Sequence, residues 1–129
     1  WIEHTHTKNI NMPIDLDVTS LPWPISKADA IFSSNMIHIT PWECCLGLMT
    51  GAEQALKPHG VLILYGPFLI NGKETAISNI QFDNSLRKQN THWGIRNLEK
   101  VIKAANACGL ECKEIIEMPA NNLIVILNN

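Results

Sequence analysis

The stretch ADAIFSSNMIHITPWECCLGLMTGAEQALKPHGVLILY, residues 28–65, decides the fold. It begins with the short apolar run Ala28–Ser34 and ends with another, Val61–Tyr65. Neither run alternates between polar and apolar residues, which is typical of strands covered on both faces. A helical pattern lies between them. A strand, a helix and a second strand in this order predict an α/β fold with a parallel sheet.

The helix has clear start and stop signals in the sequence. Thr40, Pro41 and Glu43 predict a capping box, with Thr40 as the N-cap and proline at the first helical position. The segment KPHG, residues 57–60, is predicted to end the helix. The apolar residues between them recur at helical spacing and predict one buried stripe: Cys45, Leu48, Met49, Ala52 and Leu56.

The second half of the chain predicts a long loop and two helices. The loop covers residues 66–79 and contains a turn at Asn71-Gly72. A weaker helical pattern follows over residues 79–88. The next helix is capped by Asn97 and ends at Gly109. Its apolar positions again share one face: Leu98, Val101, Ile102, Ala105 and Cys108.

The C-terminal segment CKEIIEMPANNLIVILNN, residues 112–129, predicts two strands joined by a turn at Pro119–Asn122. The first strand contains Lys113, Glu114 and Glu117, which suit an edge position. The second contains the apolar run LIVIL, which suits a central position. The sheet is therefore expected to combine parallel strands with a terminal antiparallel hairpin.

The bulk composition excludes several classes of protein. The chain has 129 residues, 46% of them hydrophobic, and a net charge of −2. It therefore has no basic field for nucleic acid or anionic lipid, and no apolar run long enough to span a membrane. The spacing of the four cysteines fits neither a zinc site nor a disulfide framework, and no secretory signal is seen. We expect a cytoplasmic protein. We also expect that it binds no metal, and that the pair His4 and His6 is not a metal site.

Several motifs together resemble a known family. They are DLDVTSLPWP, ADAIFSSNMIHITPWE, LYGPFLINGKETAISNIQFDNSLR, WGIRNLE and MPANNL. The chain resembles, from Pro13 to its C-terminus, the family of S-adenosylmethionine-dependent methyltransferases that contains methyltransferase-like protein 26. The resemblance implies a class I, Rossmann-like methyltransferase fold. It makes PIDLDV, residues 13–18, the third strand of that fold, residues 28–34 the fourth and VLILYG the fifth. The terminal hairpin supplies the sixth and seventh.

One part of the family pattern is not found in these residues. Class I methyltransferases hold the cofactor with a glycine-rich turn after their first strand, and the seven glycines of this chain form no such cluster. We therefore expect residues 1–129 to be a single incomplete domain without the N-terminal cofactor-binding half, and to be inactive alone. The fourth strand would then have an unpaired edge. A homodimer or a swapped segment is expected to cover that edge.

Cofactor-binding residues are predicted at the ends of two strands, where open parallel sheets bind their ligands. By resemblance, the Asp17 carboxylate accepts a hydrogen bond from the adenine amino group, and Val18 lies beside the adenine ring. Ser33, Ser34 and Asn35 would contact the methionine moiety. Asp17 could alternatively cap the turn at Thr19-Ser20, and the residues after the fourth strand could satisfy only backbone groups.

His38 and the next turns are predicted to bind the substrate. His38 could take a proton from the nucleophile, bind substrate as a neutral ring, or be a hydrogen-bonded core histidine. Asn35 is a second catalytic candidate. Further substrate-binding candidates follow the fifth strand or lie in the hairpin turn: Tyr65, Gly66, Pro67, Phe68, Asn121 and Asn122.

The resemblance implies a methyltransferase that uses S-adenosylmethionine and acts on a small molecule of unknown identity. Methyl transfer depends mainly on placing the nucleophile in line with the methyl carbon, so strong acid–base signatures are not required. The alternative is a non-catalytic binding or regulatory protein built on the same fold.

Overall fold

The computed structural model describes residues 8–129. His4 and His6 lie outside the described residues. A single sheet is flanked by three helices, and two short 3₁₀ turns occur at 36–38 and 119–121. The elements in chain order are β1 (Ala28–Ser34), α1 (Trp42–Ala55), β2 (Leu56–Gly66), α2 (Ile77–Gln89), α3 (Leu98–Ala107), β3 (Glu111–Met118) and β4 (Asn122–Asn128).

The sheet has the strand order β1-β2-β4-β3. β1 and β2 are parallel, whereas β4 is antiparallel to both β2 and β3. The predicted α/β fold, with parallel strands and a terminal antiparallel hairpin, is therefore confirmed. The charged strand β3 lies at the edge and the apolar strand β4 lies inside the sheet, as predicted.

One face of the sheet forms the core, and we call it the covered face. Leu62 and Leu64 from β2, with Val125 and Leu127 from β4, are at most 2% exposed. They pack in one cluster with the predicted stripe of α1 and with Val101 and Ala105 of α3. The stripe residues Cys45, Leu48, Met49, Ala52 and Leu56 are at most 3% exposed, which confirms their burial.

The opposite side of the sheet, which we call the open face, is also apolar. Phe32, Ile63 and Ile126 form one cross-strand row, because Ile63 pairs with both of the others. Phe32 is 63% exposed, and the two isoleucines are half-buried. β1 pairs only with β2 among the described residues, so its outer edge is unpaired there.

The prediction of a strand at Pro13–Val18 is wrong. These residues have no regular secondary structure, because no described strand lies beside them to share backbone hydrogen bonds. The segment instead lies against α1. The Trp23 indole donates to the Val18 carbonyl at 3.0 Å, and a Cβ at Gly47 would come within 2.7 Å of the same carbonyl oxygen. Glycine at 47 therefore allows this close approach.

The capping box at the start of α1 is also absent. The Thr40 hydroxyl donates to the Met36 carbonyl at 2.7 Å. Pro41 is the N-cap and makes no side-chain bond, so the helix begins at Trp42. The Thr40 hydroxyl is therefore turned back towards the 3₁₀ turn and accepts no bond from a helix amide. The other end differs as well, since KPHG belongs to β2, which begins at Leu56 where the chain pairs with Ala28.

The remaining local predictions agree with the structure. The Asn97 side chain accepts from the Lys100 amide at 2.9 Å and caps α3. Gly109 follows the helix with φ of +90°, a conformation that favours glycine. A turn occurs at Asn71-Gly72, and α2 begins at Ile77, two residues before the predicted start.

Candidate functional site

The carboxyl ends of β1 and β2 lie side by side. The Asn35 amide donates to the Tyr65 carbonyl at 2.9 Å and extends the ladder by one bond. Asn35 itself has φ of 60°, a left-handed conformation that asparagine tolerates better than most residues. The structure thus brings together the predicted residues that follow these two strands.

Ser33 and Ser34 point to opposite faces of the sheet. Ser33 pairs with Leu64 and Ser34 with Tyr65. Since successive side chains of a strand alternate between faces, Ser33 lies on the covered face and Ser34 on the open face. The two serines therefore cannot contact the same ligand atom, although both remain predicted cofactor residues.

Asn35 and His38 converge on Gly66. A Cβ at this position would lie 2.6 Å from Asn35 Oδ1 and 3.1 Å from His38 Nε2. Both of these atoms are buried without a hydrogen-bond partner. Gly66 is therefore required for the close packing, and one acceptor and one ring nitrogen are left free beside it.

The hydrogen bond made by the other ring nitrogen defines the chemistry of His38. The Arg96 amide donates to His38 Nδ1 at 3.0 Å, so Nδ1 is an acceptor. A neutral imidazole then carries its proton on Nε2, which becomes a donor. Burial lowers the pKa of His38 to about 4, with a further contribution from the charge of Arg96. The ring is neutral at pH 7.

This arrangement argues against proton abstraction, and it is compatible with both other predicted roles of His38, a substrate-binding residue and a hydrogen-bonded core histidine. Nε2 already carries the proton of the neutral ring. Nδ1 could accept a proton from a nucleophile only if it lost the hydrogen bond from the Arg96 amide. His38 is 0% exposed, and its ring meets Phe68 edge-on with centroids 5.1 Å apart. His38 as a catalytic base stays a prediction, but the geometry describes a neutral hydrogen-bond donor.

Arg96 holds the turn that positions His38. Its guanidinium donates to the Ile37 carbonyl at 2.9 Å and to the Thr40 carbonyl at 2.7 Å. It also lies 5.6 Å from the centroid of the Trp42 ring. Sequence reasoning did not identify Arg96 as a site residue, because these contacts link positions that are far apart in the chain. The motif WGIRNLE was the only signal that could have drawn attention to it.

The hairpin turn reaches the end of β2. The Asn122 side chain donates to the Tyr65 hydroxyl at 3.2 Å. Asn121 has φ of 61°, which turns the backbone so that its carbonyl accepts from the Asn79 side chain at 3.3 Å. Two of the predicted substrate residues are thus joined directly, and a third is tied to α2.

A cavity of about 250 Å³ lies between the loop after β2, the start of α2 and the hairpin turn. Three predicted residues, Phe68, Asn121 and Asn122, line it. Ile70, Asn79 and Met118 also line it, and sequence reasoning missed them. Gly66 and Pro67 are buried and do not line the cavity, and neither do Asn35 and His38. Phe68 lines it and also contacts the His38 ring.

Asp17 lies in a separate, open groove that shares no lining residue with this cavity. Its Oδ1 accepts from the Thr19 amide at 2.9 Å and from the Thr19 hydroxyl at 2.7 Å, as the turn-capping alternative predicted. These bonds lower the pKa of the carboxyl. Val18 packs against the core. Their cofactor-binding roles stay predictions.

Residues 8–129, which the structure describes, contain neither a metal-binding cluster nor a membrane-spanning helix. Among these residues, no group of three or more histidine, cysteine or acidic side chains is arranged to hold a metal ion. None of the helices in the same range is both long and apolar enough to cross a bilayer.

Solved structures share this fold, and several of them are methyltransferases. LaPhzM matches with a TM-score of 0.79 at 13% identity, over 98% of this chain and 37% of its own. The mitomycin 7-O-methyltransferase MmcR matches with a TM-score of 0.76 at 17% identity, over 92% and 33%. Human N-acetylserotonin methyltransferase, solved in complex with SAM, matches with 0.76 at 13%, over 90% and 33%.

The chain therefore spans about a third of the length of the solved structures it matches. Its sheet and helices are similar to the C-terminal portion of methyltransferase domains. At these identities the likeness concerns the fold alone. At the level of sequence, the family described as "Protein of unknown function (DUF938)" matches residues 1–129. The chain belongs to the DUF938 family.

Proposed function

We propose that the protein containing this chain is an S-adenosylmethionine-dependent methyltransferase that acts on a small molecule. The observation that carries the proposal is the convergence of Asn35, His38 and Gly66 at the carboxyl ends of two parallel strands, in a fold shared with methyltransferases. Ligands bind at this position in open α/β sheets. Buried polar atoms without partners are rare, and they mark places where a ligand or water can bind.

The residues present fit two parts of the cofactor. The Thr19 bonds use Asp17 Oδ1 and leave Oδ2 to accept from an adenine amino group. Asn35 Oδ1 has no partner and suits an N–H donor of the methionine moiety. When bound, S-adenosylmethionine supplies an electrophilic methyl group. We propose that a glycine-rich turn outside these 129 residues holds the rest of the cofactor.

The protein's own residues would bind and orient the acceptor molecule. Neutral His38 has one N–H without a partner, enclosed beside Gly66, and a ligand would meet it only once the packing there opens. Phe68 provides an apolar wall next to it. Tyr65, linked to Asn122, closes the end of β2 on the open face. Fixed groups of this kind favour methyl transfer by orientation rather than by proton transfer.

Three further features of the sequence bear on the relatives, the cellular location and the substrate of the protein. The motifs HITPWE and MPANN support kinship with methyltransferase-like protein 26. The cysteines at 44, 45, 108 and 112 are free thiols, which suits the cytoplasm. A net charge of −2 suits a small-molecule substrate better than nucleic acid or a membrane surface.

We also propose that a second copy of the chain, or a segment swapped from it, covers the unpaired edge of β1. Phe32, the exposed end of the apolar row on the open face, lies on this edge strand. Exposed apolar edges promote pairing with another chain.

Methyl transfer tests the proposed activity. The full-length gene product is incubated with methyl-labelled S-adenosylmethionine and a small-molecule extract of cells. Labelled low-molecular-weight product is expected, and it should fall at least about tenfold in the Asp17→Ala variant, since the carboxylate is the proposed adenine contact. The matched control is Asp15→Ala, which lies in the same groove. Absence of labelled product alongside tight cofactor binding would instead support a non-catalytic binding protein.

A further inference from the structure

The cavity beside the hairpin turn has the size of a small ring compound. Its volume is about 250 Å³, whereas an apolar cavity of roughly 150 Å³ is enough to bind benzene. Phe68, Ile70, Met118 and Leu123 supply apolar walls. One aromatic or aliphatic ring with a few substituents would therefore fill it.

The side chain of Asn79 has a hydrogen-bond partner for only one of its two polar atoms. It is only 9% exposed and lines the cavity. Its Nδ2 donates to the Asn121 carbonyl at 3.3 Å, and this bond assigns the amide orientation, because a carbonyl can accept only from the nitrogen. Asn79 Oδ1 accepts no hydrogen bond from a described residue. Unlike Asn35 Oδ1 and His38 Nε2, which are enclosed beside Gly66, Asn79 Oδ1 is not fully enclosed, so a ligand in the cavity can reach it without a change in packing.

The charges around the cavity argue against an ionised ligand. Lys73, Glu74 and Glu117 line it, and all three are exposed. The amino end of α2 would favour an anion, but two carboxylates oppose it. The two carboxylates would attract a cation only weakly, because they are exposed to solvent. The buried lining residues Phe68, Asn79 and Leu123 carry no charge, so a cation that entered among them would lose its hydration without an ionic partner.

From these observations we infer that the cavity binds a small uncharged molecule with a ring-sized apolar body and a hydroxyl or amine hydrogen that it donates to Asn79 Oδ1. Leaving such a buried acceptor unpaired costs affinity, so a molecule without the donor binds less well. The identification of this molecule as the methyl acceptor rests on the proposed function, because hydroxyl and amine groups are also methyl acceptors. The binding itself does not depend on it.

Phenol and toluene test the inference, because they have the same number of heavy atoms and differ in the hydroxyl group. Each is titrated into isotope-labelled protein, and amide resonances are followed by NMR. Phenol is expected to bind about fivefold more tightly than toluene, with shifts at Ile70, Asn79 and Leu123. The Asn79→Leu variant should bring phenol to the affinity of toluene. Benzoate, as the anionic probe, should bind more weakly than phenol.

Ile70→Trp supplies a second variant in case Asn79→Leu disturbs the hairpin turn. Tryptophan at 70 would fill the cavity and weaken both neutral probes at least about tenfold. Its matched control is Ile80→Trp, because Ile80 is 46% exposed on α2 and does not line the cavity. Equal affinities for phenol and toluene, tighter binding of benzoate, or binding unaffected by Ile70→Trp would each overturn the inference. Phenol binding together with no labelled product in the methyl-transfer assay would contradict only the proposed function.

Discussion

The two faces of the sheet contain the same kinds of side chain but differ in what lies on them. On β2, Leu62 and Leu64 are at most 2% exposed beneath the helices, whereas Ile63 between them is half-buried on the open face. The runs VLILY and LIVIL do not alternate, as expected of strands that are covered on both sides. Helices α1 and α3 pack on the covered face, and Phe32 on the opposite face is 63% exposed. The sequence pattern therefore indicates strands that are buried on both faces, whereas residues 8–129 bury them fully on one face. The open face is a surface suited to packing against further protein.

The largest expected effect is a loss of stability, and it is measured by comparing Leu62 with its neighbour Ile63 on the other face of β2. Leu62→Ala should lower the free energy of unfolding by about 2–5 kcal/mol, because it leaves a cavity under α1 and α3. Ile63→Ala should cost less than about half as much. Urea denaturation of the two variants and the native protein measures both values. Equal losses would show that the open face is packed as tightly as the covered face.

The second prediction concerns how the free energy of unfolding depends on pH, because His38 is a buried titratable residue. The pKa of His38 is lowered from 6.5 to about 4, so the unfolded chain binds a proton between these values while the folded chain does not. Stability is therefore full above about pH 6.5 and falls as the pH drops towards about 4, by roughly 3 kcal/mol. Unfolding in urea across this pH range measures the loss.

His38→Asn should remove most of this pH dependence, because asparagine can still accept from the Arg96 amide but does not titrate. His92→Asn is the control, since His92 is exposed. A slope that His92→Asn removes and His38→Asn leaves would refute the assignment.

The third prediction tests the close packing at the end of β2. Gly66→Ala should cost about 1–3 kcal/mol of unfolding free energy, because the new methyl group would clash with Asn35 Oδ1 at 2.6 Å. Gly72→Ala is the matched change, since nothing lies within 4 Å of a Cβ there. It should cost about 1 kcal/mol or less, from its φ of +75° alone. Thermal unfolding of both variants would rank them, and the reverse order would contradict the packing at Gly66.

The smallest effect on folding is expected at the unpaired edge. Phe32→Glu should change the unfolding free energy by no more than about 0.5 kcal/mol, because the ring is 63% exposed. The same substitution should abolish self-association measured by light scattering. A native chain that is monomeric at all concentrations would count against the proposed dimer or segment swap.

Most elements of the fold could be predicted from local patterns. The strands at 28–34 and 61–65, the cap at Asn97 and the hairpin at 119–122 depend on neighbouring residues, and the structure contains them. The strand at Pro13–Val18 failed because a strand needs a partner, and no described strand lies beside it. The box at Thr40 failed because the Thr40 side chain turns back to donate to the Met36 carbonyl, and Pro41 is the N-cap instead.

The candidate site was less predictable for the same physical reason. Asn35, His38 and Phe68 follow strands, so the topology rule located them. Arg96 and Asn79 reach the site through contacts made across 58 and 42 positions of the chain. The tautomer of His38 also depends on the Arg96 amide, which no local pattern reveals.

The most direct test of the central claim is thermal unfolding of the full-length gene product with and without S-adenosylhomocysteine. A ligand that binds only the folded state raises the melting temperature, and the rise grows with ligand concentration. We expect such a rise, reduced in Asp17→Ala and preserved in Asp15→Ala. No rise at ligand concentrations up to the millimolar range would contradict the assignment of this DUF938 protein as a methyltransferase.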